Sequence, residues 1–222
     1  MVGALFYKSL MFIKRSFKET AWIGFAYVWF FGLLLVKPYW TLAPLVGSQS
    51  LELFLYSGAV LTISMQFYSL IVRDDIRSGV LQRVCLERRP LLSYLMGAAA
   101  LPAMTGLVFG ISLVAVYCAV DVSAASALMQ NNIINVIFLI SGIVALAVSS
   151  APPWGLVFGD SDDMQIAYIA TVLVVLAVAV LAFLPRFGVL GVSAGLWAAS
   201  AAFFGAFRVL ARSRFRPTGE VS

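Results

Sequence analysis

Histidine is absent from the 222-residue sequence, and cysteine occurs only twice. Without histidine, the usual general base at neutral pH and the usual haem axial ligand are both missing. Cys85 lies in a charged stretch and Cys118 near the end of an apolar one. The topology derived below puts these thiols on opposite sides of a membrane, so neither a disulfide nor a metal site is expected from them. No phosphate-binding loop ending in Lys-Ser or Lys-Thr occurs, and no HExxH, GxSxG or CxxC. The expectation is a protein that is not an enzyme by itself, binds no cofactor directly and does not hydrolyse ATP. Charge is scarce too, at 11% against about 25% in soluble domains.

What is present is apolar surface. Hydrophobic residues make up 62% of the chain, more than the interior of a soluble fold this size could hide. The bilayer is therefore read as the solvent for most of the chain. A spanning helix needs about 20 apolar residues, and the hydropathy pattern predicts six of them in one all-α transmembrane domain covering residues 1–222.

Residues 3–18 read as an amphipathic entry helix. Phe6, Leu10, Ile13 and Phe17 share one face, and Lys8, Lys14, Arg15 and Lys18 lie away from it, toward anionic membrane lipid. The predicted spans are 20–36, 53–72, a part of 91–120, 133–150, 165–184 and 187–207. Pro102 is read as a kink, Pro152, Pro153 and Gly155 as the break after the fourth span, and Pro185-Arg186 as a tight turn. The 208–222 segment is a basic tail. Gly106 with Gly110, and Gly191 with Gly195, form GxxxG steps that permit close helix approach and leave a homodimer open.

The net charge of +5 has a membrane explanation and gives no reason to expect nucleic acid. With the N-terminus in the cytoplasm, thirteen basic residues fall inside and only Lys37 and Arg186 outside. That bias requires an even number of spans and puts both termini in the cytoplasm. The loop with Asp160, Asp162 and Asp163 should also be cytoplasmic although it carries only acids. No charged residue is obvious within the spans, and Glu52 sits only at a span entrance. Ion-coupled transporters bury such groups at mid-membrane, so energy for any movement is expected to come from a partner.

The densest charge cluster, residues 73–89, follows the second span. Within it, 74–88 reads as a short helix with Ile76, Val80 and Val84 on one face and Leu81 and Cys85 beside them. Asp74 and Asp75 sit at its predicted start, where negative charge is favoured. Gly79 inside it implies close packing or a bend. Two readings stay open: a solvated loop whose arginines fix topology, and a helix that docks on a cytoplasmic ATPase.

The stretch Val72-Arg-Asp-Asp-Ile-Arg-Ser-Gly-Val-Leu-Gln resembles the corresponding motif of the CcmB family, the permease of a cytochrome c maturation ABC complex. Arg73, Asp74, Asp75, Gly79 and Leu81 match it, whereas Gln82-Arg83 departs from the family's Glu-Gln, and the acidic 160–163 loop departs from a usually basic one. The resemblance implies an ABC-2-type permease fold, in a bacterial inner membrane or the membrane of an organelle of bacterial descent. The matched residues Arg73, Asp74, Asp75, Gly79 and Leu81, together with the apolar face of Ile76, Val80 and Val84, are the expected ATPase-coupling residues. The resemblance also implies a CcmA-like ATPase that uses the ATP, CcmC-like and CcmD-like membrane partners, and a CcmE-like chaperone that carries haem. The alternatives are a permease of another ABC-2-type exporter and a non-transporting membrane scaffold.

Overall fold

The computed structural model describes residues 2–15, 48–86, 91–120, 133–159 and 161–214. The expected first span, 20–36, lies outside them, as do 16–18 of the entry helix, the 121–132 loop, Arg88, Arg89, Asp160 and the tail beyond 214. All elements among the described residues are α-helices: α1 (Val2–Arg15), α2 (Ser48–Arg77), α3 (Val80–Leu86), α4 (Leu91–Val120), α5 (Ile133–Phe158) and α6 (Asp162–Arg214). Among the described residues, three helices are long and apolar enough to cross a membrane, within α4, α5 and α6.

The 53 residues of α6 would reach ~80 Å as one straight helix, against a hydrocarbon core of about 30 Å. The backbone breaks at Gly188, whose φ of 62° and ψ of −161° are non-helical. The chain reverses there, because a Cβ on Gly195 would lie 3.5 Å from the Phe183 ring. Arms 162–187 and 189–214 therefore form a hairpin. The expected turn at Pro185-Arg186 is corrected by three residues: proline in the last turn still allows helical φ, and the reversal needs the positive φ that glycine adopts freely.

Contacts through the bundle fix the directions of the helices. Tyr168 donates to the Ala147 carbonyl (2.6 Å) and Ser200 to the Ala145 carbonyl (3.1 Å), so the first arm runs antiparallel to α5 and the second parallel to it. Tyr56 of α2 donates to the Gly110 carbonyl of α4 (3.0 Å), while Tyr94 of α4 meets the far end of α2 at Asp75. These two helices are antiparallel as well. Small residues set the spacing. Gly106 backs directly onto the Ser64 hydroxyl, and a Cβ on Gly110 would come 2.8 Å from Ile140. Both GxxxG steps are thus occupied within the chain, one against α2 and α5 and the other against Phe183 and Phe187 in the hairpin.

The break expected at Pro152, Pro153 and Gly155 is also corrected. Helix α5 passes through all three and ends at Phe158, where Gly159 takes φ +70°. Ala151, Pro152, Pro153 and Leu156 are buried. A Cβ on Gly155 would strike Ile76 at 2.8 Å and Val72 at 3.0 Å. Packing of this turn against α2 outweighs the loss of two backbone donors. Likewise α4 stays helical through Pro102.

One end of the bundle gathers α1, the end of α2, α3, the starts of α4 and α6 and the end of α6. Leu5 of α1 fits against Gly97, whose Cβ would come within 2.9 Å of it, and Phe207 meets Tyr94 at a ring distance of 6.4 Å. Among the described basic residues, Arg186 alone lies at the hairpin end.

Candidate functional site

The segment predicted as one helix over 74–88 is two helices joined by an elbow. Helix α2 runs on past the expected end of the second span to Arg77. Gly79, at φ +70°, donates to the Ile76 carbonyl (3.0 Å) and its own carbonyl accepts from Arg83 (2.9 Å). It therefore closes α2 and opens α3 at once. A Cβ here would meet nothing within 4 Å, so the glycine serves the bend and no close packing.

This arrangement relocates the two aspartates. They occupy the last turn of α2, where the helix dipole disfavours negative charge by a few tenths to about 1 kcal/mol each at a surface. A cation compensates. The Lys8 ammonium of α1 lies 2.7 Å from Asp74 Oδ2 and 2.6 Å from Asp75 Oδ1, and donates to Ser78 Oγ at 3.2 Å. The other Asp75 oxygen, Oδ2, accepts from the Tyr94 hydroxyl at 2.8 Å. Asp75 is 1% exposed, so each oxygen of a buried carboxylate is held by a different helix. Only the Asp75 side of the pair is buried, Lys8 being 32% exposed, so removing the cation costs toward the lower end of the about 3–5 kcal/mol that breaking a buried pair costs.

Burial pushes Asp75 above the usual carboxylate range, against the pull of Lys8 and Tyr94. Partial burial lowers the Lys8 pKa, but hydrogen bonds and attraction from both aspartates raise it further, so it ends above the ordinary lysine value. The Lys8 ammonium has short contacts to both carboxylates.

Arg73 joins a second remote segment. Its guanidinium lies 3.2 Å from Asp162 Oδ1, 89 residues on. Asp162 and Asp163 begin α6, where the dipole favours acids. These two acids thus begin a helix, and Asp162 touches the end of α2 beside the elbow. The Arg73–Asp162 pair is 19% and 87% exposed and is worth at most about 1 kcal/mol.

The apolar residues of the expected coupling face turn inward. Leu81 and Val84 are buried, and Ile76 and Val80 are half-buried against the same core. Arg77, Gln82, Arg83 and Leu86 form the exposed side. The eight residues singled out from the sequence are therefore contiguous, but they build the inner anchor of the elbow; the outward surface is made by their neighbours.

Sequence reasoning missed Lys8, Tyr94 and Asp162. It sent Lys8 away from the protein because Phe6 and Leu10 defined the apolar face. In the structure Leu5 and Lys8 face α4 and α2, and Tyr7, Leu10 and Met11 are exposed. The available signal was the adjacent pair of acids ending an uninterrupted helical pattern, which calls for a cation.

Among the described residues no cluster of three or more His, Cys, Asp or Glu could hold a metal ion. Comparison of the chain with family models, with curated proteins and with solved structures finds no match. The geometry provides a short helix, buried on one side and exposed on the other, that follows an elbow tied to α1, α4 and α6.

Proposed function

We propose that this chain is the membrane permease subunit of an ABC-type complex acting in cytochrome c maturation. A separate ATPase would supply the energy, and haem would be handled by partner proteins. In this reading the described bundle, with residues 20–36 as the first span, crosses the bilayer six times. The clustered basic residues then place both termini in the cytoplasm. A bacterial inner membrane fits the reading.

The observation that carries it is the elbow. An exposed face of Arg77, Gln82, Arg83 and Leu86 sits on a helix whose other side is packed into the core. Its hinge is tied to α1 and α4 through Asp75 and to α6 through Arg73. Force applied to α3 would reach four helices without passing through a flexible loop, which is what a subunit lacking its own ATP site requires. The cytochrome c assignment rests on the 72–82 resemblance, and the partners it implies are a CcmA-like ATPase, CcmC-like and CcmD-like proteins and a CcmE-like haem chaperone.

Deletion of the gene in its native host tests that assignment. Loss of covalent haem on c-type cytochromes, with apocytochrome synthesis intact, is the expected result. Normal c-type cytochromes would reject it and leave a permease of another exporter.

A further inference from the structure

Helix α1 presents two unlike sides. Toward the protein, Leu5 fits the notch at Gly97, and Lys8 reaches Asp74, Asp75 and Ser78. Away from it, Tyr7, Leu10 and Met11 are 62%, 45% and 37% exposed. The outer side is apolar although α1 sits at the end of the bundle that gathers the charged residues of α2, α3 and the start of α6. An apolar helix face there fits the headgroup–acyl boundary of a bilayer better than water. Its ammonium meanwhile points away from that side and pairs with the Asp74 and Asp75 carboxylates of α2.

We propose that α1 is a lipid-seated strut that positions the elbow. Tyr7, Leu10 and Met11 bind the phospholipid surface, and Lys8 clamps the end of α2 as a positioning residue. Without the Lys8 cation Asp75 must either take up a proton or leave its buried position, so undocking of α1 is coupled to a change at the α2–α3 elbow. Membrane attachment of α1 thereby sets the resting position of α3. The bearing of this strut on ATP coupling rests on the function proposed above; the clamp and the lipid seat stand independently of it.

The test uses the full chain in nanodiscs of phosphatidylethanolamine and phosphatidylglycerol, with Cys85 and Cys118 replaced by Ser. A thiol introduced as Leu5→Cys should react slowly with a water-soluble maleimide. Lys8→Met should speed labelling by about tenfold or more, because it leaves Asp75 uncompensated. Adding Asp75→Asn to Lys8→Met should restore slow labelling, which a merely structural lysine would not predict. Labelling unchanged by Lys8→Met, or fast in the double variant, would overturn the clamp. If Lys8→Met fails to fold, Asp75→Asn alone provides the comparison: slow labelling, with Lys8→Met tolerated only in its presence, supports the clamp, and fast labelling overturns it. For the lipid seat, a fluorophore on Leu10→Cys should be quenched by lipids spin-labelled near the headgroup; absence of quenching would overturn that half. Neither readout involves an ATPase, so failure of the proposed function and failure of the strut are distinguishable.

Discussion

The ammonium of Lys8 lies 2.6 Å from Oδ1 of Asp75, 67 residues away in sequence. This contact joins the N-terminal helix to the end of α2 and satisfies a carboxylate that is otherwise closed off from water. It makes the charge pattern of residues 73–77 a structural matter before it is a surface one.

Loss of that partner should be costly. Lys8→Ala is predicted to destabilise the protein by about 3 kcal/mol, since the buried Asp75 would keep only Tyr94. Lys8→Arg should recover part of the loss, because it restores the charge but not the compact geometry. Thermal unfolding in a mild detergent measures the order: wild type, then Lys8→Arg, then Lys8→Ala.

The pH dependence follows from the direction of the Lys8 shift. Its folded-state pKa lies above the ordinary value of 10.5. A raised lysine contributes stability that is fully present below the unfolded pKa and is lost as pH rises through the folded one. Unfolding of wild type and Lys8→Met compared from neutral pH upward should show a steady gap to about pH 10 that closes above it.

Gly79 holds φ +70° with open space around its missing Cβ. Gly79→Ala should therefore cost about 1–2 kcal/mol of backbone energy and no packing, and Gly79→Asn less. If the elbow transmits force, turnover of a partner ATPase should fall in Gly79→Ala more than melting temperature alone would imply.

Two buried tyrosines should respond in opposite ways. The Tyr68 hydroxyl is buried with no hydrogen-bond partner among the described residues, whereas that of Tyr168 donates to the Ala147 carbonyl at 2.6 Å. Tyr68→Phe should be neutral or slightly stabilising, and Tyr168→Phe should cost about 1 kcal/mol. Equilibrium unfolding of the two variants against wild type checks the contrast.

The all-helical class and the long apolar helices were legible from hydropathy, because runs such as 91–120 and 133–150 admit no other solvent than a membrane or a core. Boundaries were less legible. Pro152 and Pro153 signal a break in any isolated helix, and only the packing of Gly155 on Ile76 and Val72 shows why α5 continues. The chain reversal moved from Pro185 to Gly188 for a local reason, since the positive φ falls on the glycine. The charged segment after α2 could be found from composition and motif. Its inner and outer sides could not, because periodicity ignores an elbow at Gly79. The partners of Asp75 were invisible for a deeper reason: Lys8 and Tyr94 come from other helices, and no local pattern encodes which face of α1 meets α2.

Co-purification tests the central claim most directly. The tagged full-length chain, isolated from its native membrane in mild detergent, should bring down a P-loop ATPase. Arg83→Glu, which changes only the exposed side of α3, should release that ATPase while the chain itself remains folded and membrane-inserted. Recovery of the intact protein with no ATPase, or an ATPase held equally well by Arg83→Glu and by wild type, would contradict coupling through the elbow.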